Sequence, residues 1–197
     1  MTTNSKSTEL ALRLWRQIYQ TYTLLKRCED ETAGEFGLTT EQYAILVSIS
    51  YLGEPARITD IARWLERSTN SISMIVDRMV KVGLVTRKRD RIDRRVVYVS
   101  MTSKGKAALK PVDVAILEVV SKILSPLSYE DQNTLFNLLG TVKYEMIKCL
   151  NPGVDIKEVK KQELEQAAGL KKWMTEHGLP SAPRPKRQGG GKRKTIR

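Results

Sequence analysis

Ile58-Thr-Asp-Ile-Ala-Arg-Trp-Leu65 and Ser68-Thr-Asn-Ser-Ile-Ser-Met-Ile-Val-Asp-Arg-Met-Val-Lys-Val-Gly83 are separated only by Glu66-Arg67, and Leu84-Val-Thr-Arg-Lys-Arg-Asp-Arg-Ile-Asp-Arg-Arg-Val-Val-Tyr-Val-Ser100 follows directly. The first segment reads as a short helix with Ile58, Ile61, Ala62 and Leu65 on one face. Ser68 or Thr69 caps the second, whose inner face is Ile72, Ile75, Val76 and Met79, and Gly83 closes it. Leu84–Lys88 and Val96–Ser100 alternate or are β-branched and read as strands, with a loop between them too densely charged for burial. Two helices on a tight turn, followed by a hairpin with a charged tip, form a winged helix-turn-helix.

Outward from that unit the chain is helical. Leu10, Leu14, Ile18 and Leu25 recur at helical spacing over residues 8–33, and Gly34 and Gly37 end that helix. Thr39 or Thr40 opens a helix to about Leu52, with Tyr43, Leu46, Val47 and Ser50 on its repeat. Thr102-Ser-Lys-Gly105 starts a long helix to about Leu124, with Pro111 expected to bend it. Ala115, Ile116, Val119, Val120 and Ile123 give it an apolar arc wide enough to be buried from more than one side. Ser128 caps a last frame helix to about Leu150, with Leu135, Leu138, Leu139, Val142, Met146 and Leu150 inward. The expected fold is mainly α with a small β-hairpin wing. Its divisions are a first helix and loop (8–38), the winged lobe (39–105), C-terminal frame helices (106–151), a further weakly amphipathic helix (152–178) and a disordered basic tail (179–197).

Charge follows the same divisions. Residues 57–106 hold 13 Lys and Arg against 5 Asp and Glu, a balance of +8, while residues 1–56 and 107–151 together hold 9 against 12, or −3. Residues 152–197 hold 12 against 5, or +7, so the net +12 sits on the winged lobe and the tail. A near-neutral frame carrying a basic module points to a polyanion, although a soluble protein with a basic surface has the same arithmetic. Two cysteines, Cys28 and Cys149, and one histidine, His177, leave almost no material for a metal site, a disulfide framework or histidine-based catalysis. No metal, cofactor or enzyme activity is expected. There is no apolar run of the roughly 20 residues that span a bilayer and no leader-like start, so a cytoplasmic protein without a membrane partner is expected.

Double-stranded DNA sets demands that these residues meet. A recognition helix lies in the major groove with its N-terminal turns toward base edges. Here those turns offer Ser68, Thr69, Asn70, Ser71, Ser73 and Met74, opposite the apolar face. Asn70 suits adenine N6 and N7, Met74 a thymine methyl, and the hydroxyls bases or phosphates. Ser68 or Thr69 serves as the cap in either case, and solvent exposure alone is the other account of Asn70 and Ser73. Arg78 joins the set from the next turn. The loop arginines Arg89, Arg91, Arg94 and Arg95 suit a minor groove, with Asp90 and Asp93 expected to neutralise and hold them; a merely solvated turn is the alternative.

Leu65-Glu-Arg-Ser-Thr-Asn-Ser-Ile-Ser73, Val76-Asp-Arg-Met-Val-Lys-Val-Gly-Leu-Val85 and Asp93-Arg-Arg-Val-Val-Tyr-Val-Ser-Met-Thr-Ser-Lys-Gly105 resemble the DNA-binding lobe of the multiple antibiotic resistance regulator (MarR) family. The helical frame from about residue 8 to 150 resembles it in order and length. The resemblance implies a homodimer joined through the first and last two frame helices, on a pseudo-palindromic operator. It implies a sequence-specific transcriptional regulator, a repressor released by a small ligand. Arg94 would be the wing-tip arginine, Asp93 its anchor, and residues 69–74 the major-groove contacts. Many members carry arginine where this chain has Met74, which alters the expected target sequence.

Small aromatic or anionic effectors bind between the two lobes in some members, and Trp15, Tyr19, Tyr22 and Tyr43 are candidates to line such a crevice or are ordinary core and interface aromatics. Cys28 is either an inert thiol or an oxidant sensor of the kind some relatives place on the first helix. Arg184, Lys186, Arg187, Lys192, Arg193, Lys194 and Arg197 make a tail that either adds phosphate affinity or solubilises the chain. An architectural or non-specific nucleic-acid-binding protein is the alternative function.

Overall fold

The computed structural model describes residues 2–176; His177 and the basic tail lie outside the described residues. The elements are α1 (Thr2–Glu35), α2 (Thr40–Leu52), β1 (Ala56–Arg57), α3 (Ile58–Trp64), α4 (Thr69–Lys81), β2 (Val85–Arg89), β3 (Val97–Met101), α5 (Ser103–Leu124), α6 (Tyr129–Leu150) and α7 (Ile156–Glu176). This is a winged helix-turn-helix lobe within a helical frame.

Side-chain caps place the helix starts. Thr39 and Gln42 form a reciprocal capping box on α2, Ser68 accepts from Ser71 N at 3.2 Å on α4, and Ser128 accepts from Asp131 N at 3.1 Å on α6. Thr102 does two jobs. Its hydroxyl accepts from Gly105 N at 3.0 Å, opening α5, and lies 2.7 Å from Gly83 O, to which it donates, so α5 is tied to the turn after α4. Gly105 lets the two meet: a Cβ there would lie 2.1 Å from Leu84 O.

The core lies inside the winged lobe and under its junction with α1 and α5. Ile45, Leu46 and Ile49 of α2 meet Ile58, Ile61 and Ala62 of α3, Ile72, Val76 and Met79 of α4, Val85 and Val99 of the sheet, and Val112 of α5, all buried. The expected inner faces of α3 and α4 are therefore found, with Leu65 only half-buried at the rim. On α2 the buried stripe is Ile45, Leu46 and Ile49, while the expected Tyr43, Val47 and Ser50 flank it half-buried.

Four expectations need correction. The wing belongs to a three-stranded antiparallel sheet, order β1-β3-β2, because Ala56 pairs with Val99 and Arg57 with Tyr98. Two residues are too short to show the alternation by which a strand is read. Both wing strands start one residue late, since Leu84 N donates to Met79 O to close the α4 turn and Val96 N donates to Asp93 O inside the wing. Helix α1 begins at Thr2, not near residue 8: the polar residues before the first apolar one contain no helix breaker. Finally, the inward positions expected on α6 are only partly covered by the described residues. No α6 residue is buried, and Leu138 is 61% exposed and Leu139 47%. Val120 and Ile123 of α5 and Leu10, Leu14 and Trp15 of α1 are likewise exposed.

Helix α7 folds back along α6 and reaches α2. Glu163 accepts from the Tyr144 hydroxyl and from Lys143, and Lys160 lies 4.8 Å over the Tyr144 ring. Farther along, a Cβ on Gly169 would lie 2.9 Å from Tyr51 O, so its lack of a side chain permits the approach to α2. Among the described residues no helix is long and apolar enough to cross a membrane.

Candidate nucleic-acid interface

Helix α4 buries Ile72, Ile75, Val76 and Met79, which turns Asn70, Met74, Asp77 and Lys81 to the opposite side by helical geometry. Asn70 and Arg78 are exposed and Met74 is 68% exposed. An exposed thioether beside an exposed amide is a surface able to meet base edges. Ser68 holds the cap through its hydroxyl, Thr69 is exposed beside it, and Ser71 and Ser73 sit half-buried on the flanks.

The wing is shaped by its aspartates acting on backbone. Asp90 Oδ1 accepts from Ile92 N at 2.8 Å and Asp93 N at 2.9 Å, and Asp93 Oδ1 accepts from Arg95 N at 3.0 Å. Those amide donors, Asp93 N first, hold the Asp90 carboxyl below the ordinary aspartate range. The expectation that Asp90 and Asp93 grip the arginine side chains is corrected: short acidic side chains two or three residues from an amide satisfy the turn itself. Arg89, Arg91, Arg94 and Arg95 are all exposed, and Ile92 at the apex is 97% exposed. A preformed loop thus presents guanidiniums outward.

Two further arginines escaped the sequence reading. Arg87 of β2 pairs with Asp77 of α4, fastening the wing to the recognition helix. Arg57 of β1 lies 5.9 Å over the ring of its cross-strand neighbour Tyr98, and hydrogen bonding to that phenol raises its pKa further. Neither pairing has a sequence signal, because ten and 41 residues separate the partners and only the folded sheet joins them. Lys104 of α5 donates to Val82 O at 2.8 Å, closing the C-terminal end of α4.

The four aromatic candidates for an effector crevice are not brought together. A crevice of about 200 Å3 between α1, α2 and α4 is lined by Tyr22, Lys26, Glu29, Thr40 and Arg67 among others. Burial first, and then the Asp30 charge, raise the Glu29 carboxyl. Trp15 and Tyr19 lie elsewhere along α1, 64% and 68% exposed. Tyr43 faces the buried Asp113 of α5, and burial, reinforced by that carboxylate, pushes its phenol far up. Cys28 is half-buried, and Cys149 is exposed. Among the described residues no group of His, Cys, Asp and Glu is placed to hold a metal ion.

A recognition helix with an outward polar face, braced to an arginine-bearing wing, defines a winged-helix DNA-binding protein. Residues 38–97 match the model of the MarR family. The uncharacterised HTH-type transcriptional regulator YkoM of Bacillus subtilis is 24% identical over 136 residues, 69% of this chain and 88% of YkoM. The transcriptional activatory protein BadR of Rhodopseudomonas palustris is 33% identical over 100 residues, 50% of this chain and 57% of BadR. Among solved structures, the organohalide-sensing regulator RdhR-CbdbA1625 bound to 2,4-dichlorophenol shares the fold, with a TM-score of 0.65 at 23% identity over 71% of this chain and 83% of that one. The winged lobe thus matches the MarR family, and the relatives it resembles are transcription regulators.

Proposed function

We propose that the protein is a sequence-specific repressor that binds a pseudo-palindromic promoter operator as a homodimer in the cytoplasm and is released by a small aromatic or anionic ligand. The observation that carries the reading is the pairing of Asp77 with Arg87, which joins an exposed base-reading surface, Asn70 and Met74, to a wing of exposed arginines as one unit. A single chain would leave Leu138, Leu139 and Leu150 of α6 and Leu10, Leu14 and Trp15 of α1 in water, and a second copy is the cover two-fold symmetry offers them. Each pair of recognition helices then reads half-sites about one helical turn apart. The α1–α2–α4 crevice supports the effector reading, since Tyr22 and Leu25 supply an apolar wall and Lys26 and Arg67 cations.

The test is binding of the purified full-length chain to the intergenic DNA beside its own gene and to random duplex, at two salt concentrations. Preference for the intergenic duplex supports a regulator; equal binding moves the case to an architectural protein. Deleting the gene should raise transcription from the bound promoter, and a fall would make the protein an activator. Phenolic acids should weaken the complex, and an unchanged complex across such a panel removes the effector.

A further inference from the structure

We propose that the notch between α4 and the root of the wing seats one phosphate of the DNA backbone, held by the guanidiniums of Arg87 and Arg95 and the hydroxyls of Thr59, Thr69 and Ser73. The inference rests on the reading that α4 enters a major groove and the wing the adjacent minor groove. Those two grooves are separated by a single sugar–phosphate strand. A protein occupying both must straddle that strand, and the strand must cross where α4 and the wing diverge.

The surface there is concave, a notch of about 380 Å3 with Ile58, Val96 and Val97 also lining it. No carboxylate-bearing residue lines it among the described residues. Three arginines do, Arg57, Arg87 and Arg95, although the Arg57 guanidinium is engaged over the Tyr98 ring. Thr69 and Ser73 stand one turn apart on the same side of α4, and Thr59 belongs to α3.

Guanidiniums donate and never accept, and hydroxyls can donate, whereas a phosphodiester's free oxygens only accept; the match is one of donor count as well as charge. Arg87 is preset for the task. Its fork has five N–H donors, and its bond to Asp77 uses only part of them while restraining the half-buried side chain. Arg95 is preset through its backbone, whose N–H is held by Asp93. The Arg87 side chain therefore meets the phosphate already restrained, Arg95 is presented from a fixed backbone position, and the contact is blind to base identity.

The experiment measures affinity of the full chain for two duplexes across a salt series: one selected by the wild type from a random-sequence pool, the other unrelated. The variants are Arg95→Gln, Arg87→Gln, which keeps a donor for Asp77, and Thr59→Val, with thermal melts to verify folding. Arg87→Gln and Arg95→Gln should each lower the slope of log K against log salt on both duplexes, the two combined by about 0.9 per protomer for the one phosphate, and leave the ratio between duplexes unchanged. Thr59→Val should weaken both complexes a few-fold with no change of slope. Unchanged slopes in both arginine variants, or a lost preference between duplexes, would overturn the phosphate seat while DNA binding stood. Absence of salt-dependent binding by the wild type would instead remove the DNA reading on which the seat depends.

Discussion

The Arg87 guanidinium on the wing strand β2 donates to the Asp77 carboxylate on the recognition helix α4. The two parts proposed to enter different grooves are thereby held at one spacing by an ion pair at the surface. Asp77 is 55% exposed at its side chain and Arg87 27%, so solvent screens the pair. Its value lies in geometry more than in stability.

Asp77→Ala should therefore cost less than about 1 kcal/mol of unfolding free energy but lower affinity for the selected duplex about 10-fold, the equivalent of ~1.4 kcal/mol. The exchange Asp77→Arg with Arg87→Asp should recover part of that affinity. Urea denaturation and DNA titration of the same samples check both; a stability loss as large as the affinity loss would make the pair an ordinary structural contact.

Asn70 and Met74 should carry base preference. Asn70→Ala is expected to reduce discrimination at one base pair by about 1–3 kcal/mol, with little effect on random duplex. Met74→Arg should create a preference for guanine at a neighbouring position, since the new fork can reach O6 and N7. Selection from a random pool followed by sequencing reads both effects, and identical preferences before and after would place these residues outside the base contacts.

Gly105→Ala tests the seam between α5 and β2. Its Cβ would meet the Leu84 carbonyl oxygen at 2.1 Å, and a backbone atom cannot swing aside as a flexible side chain does. A loss of about 1–3 kcal/mol is expected from the forced shift, measured by thermal or urea unfolding. Gly153→Ala, with nothing within 4 Å of its Cβ, is the control and should melt like the wild type.

Leu138→Arg examines the homodimer. The side chain is 61% exposed in a single chain, so the folded protomer should tolerate the charge. In a dimer covering that face the same charge would be buried without a partner. Sedimentation should show a dimer for the wild type and a monomer for the variant with intact helicity; equal masses would locate the interface elsewhere.

The wing should loosen in acid. The Asp90 carboxylate is held below the ordinary aspartate value near 3.8 by amides of its own loop, so its contribution is complete above that value and fades as pH falls through the lower folded one. Amide exchange at Ile92 and Asp93, followed by NMR from neutral pH downward and expressed as protection relative to the intrinsic rate, should lose protection only below that range. Asp90→Asn should lower protection at neutral pH and remove its pH dependence.

Much of this protein was legible from residue order. The α3 and α4 faces were readable because Ile58, Ile61 and Ala62, and then Ile72, Ile75, Val76 and Met79, repeat with the helical period and are buried by their own lobe. Caps were readable because Thr39, Ser68, Thr102 and Ser128 bond to amides only three residues away. The role of Asp90 and Asp93 was misread: density of charge shows that a loop is exposed but not whether a carboxylate turns to a guanidinium or to a backbone N–H.

The sequence by itself determined the helices and the two wing strands, and that the positive charge is gathered on the winged lobe and residues 152–197. These follow from periodicity, capping and local charge, all decided within a few residues along the chain. Only the tertiary structure decided that β1 joins the sheet, that Asp77 holds Arg87, that Tyr43 faces Asp113 rather than the crevice of Tyr22, and that Thr59 and Arg95 share a notch. Those are meetings between residues distant in sequence, and their geometry exists only once the core of α2, α3, α4 and α5 has closed and fixed the helices against the sheet.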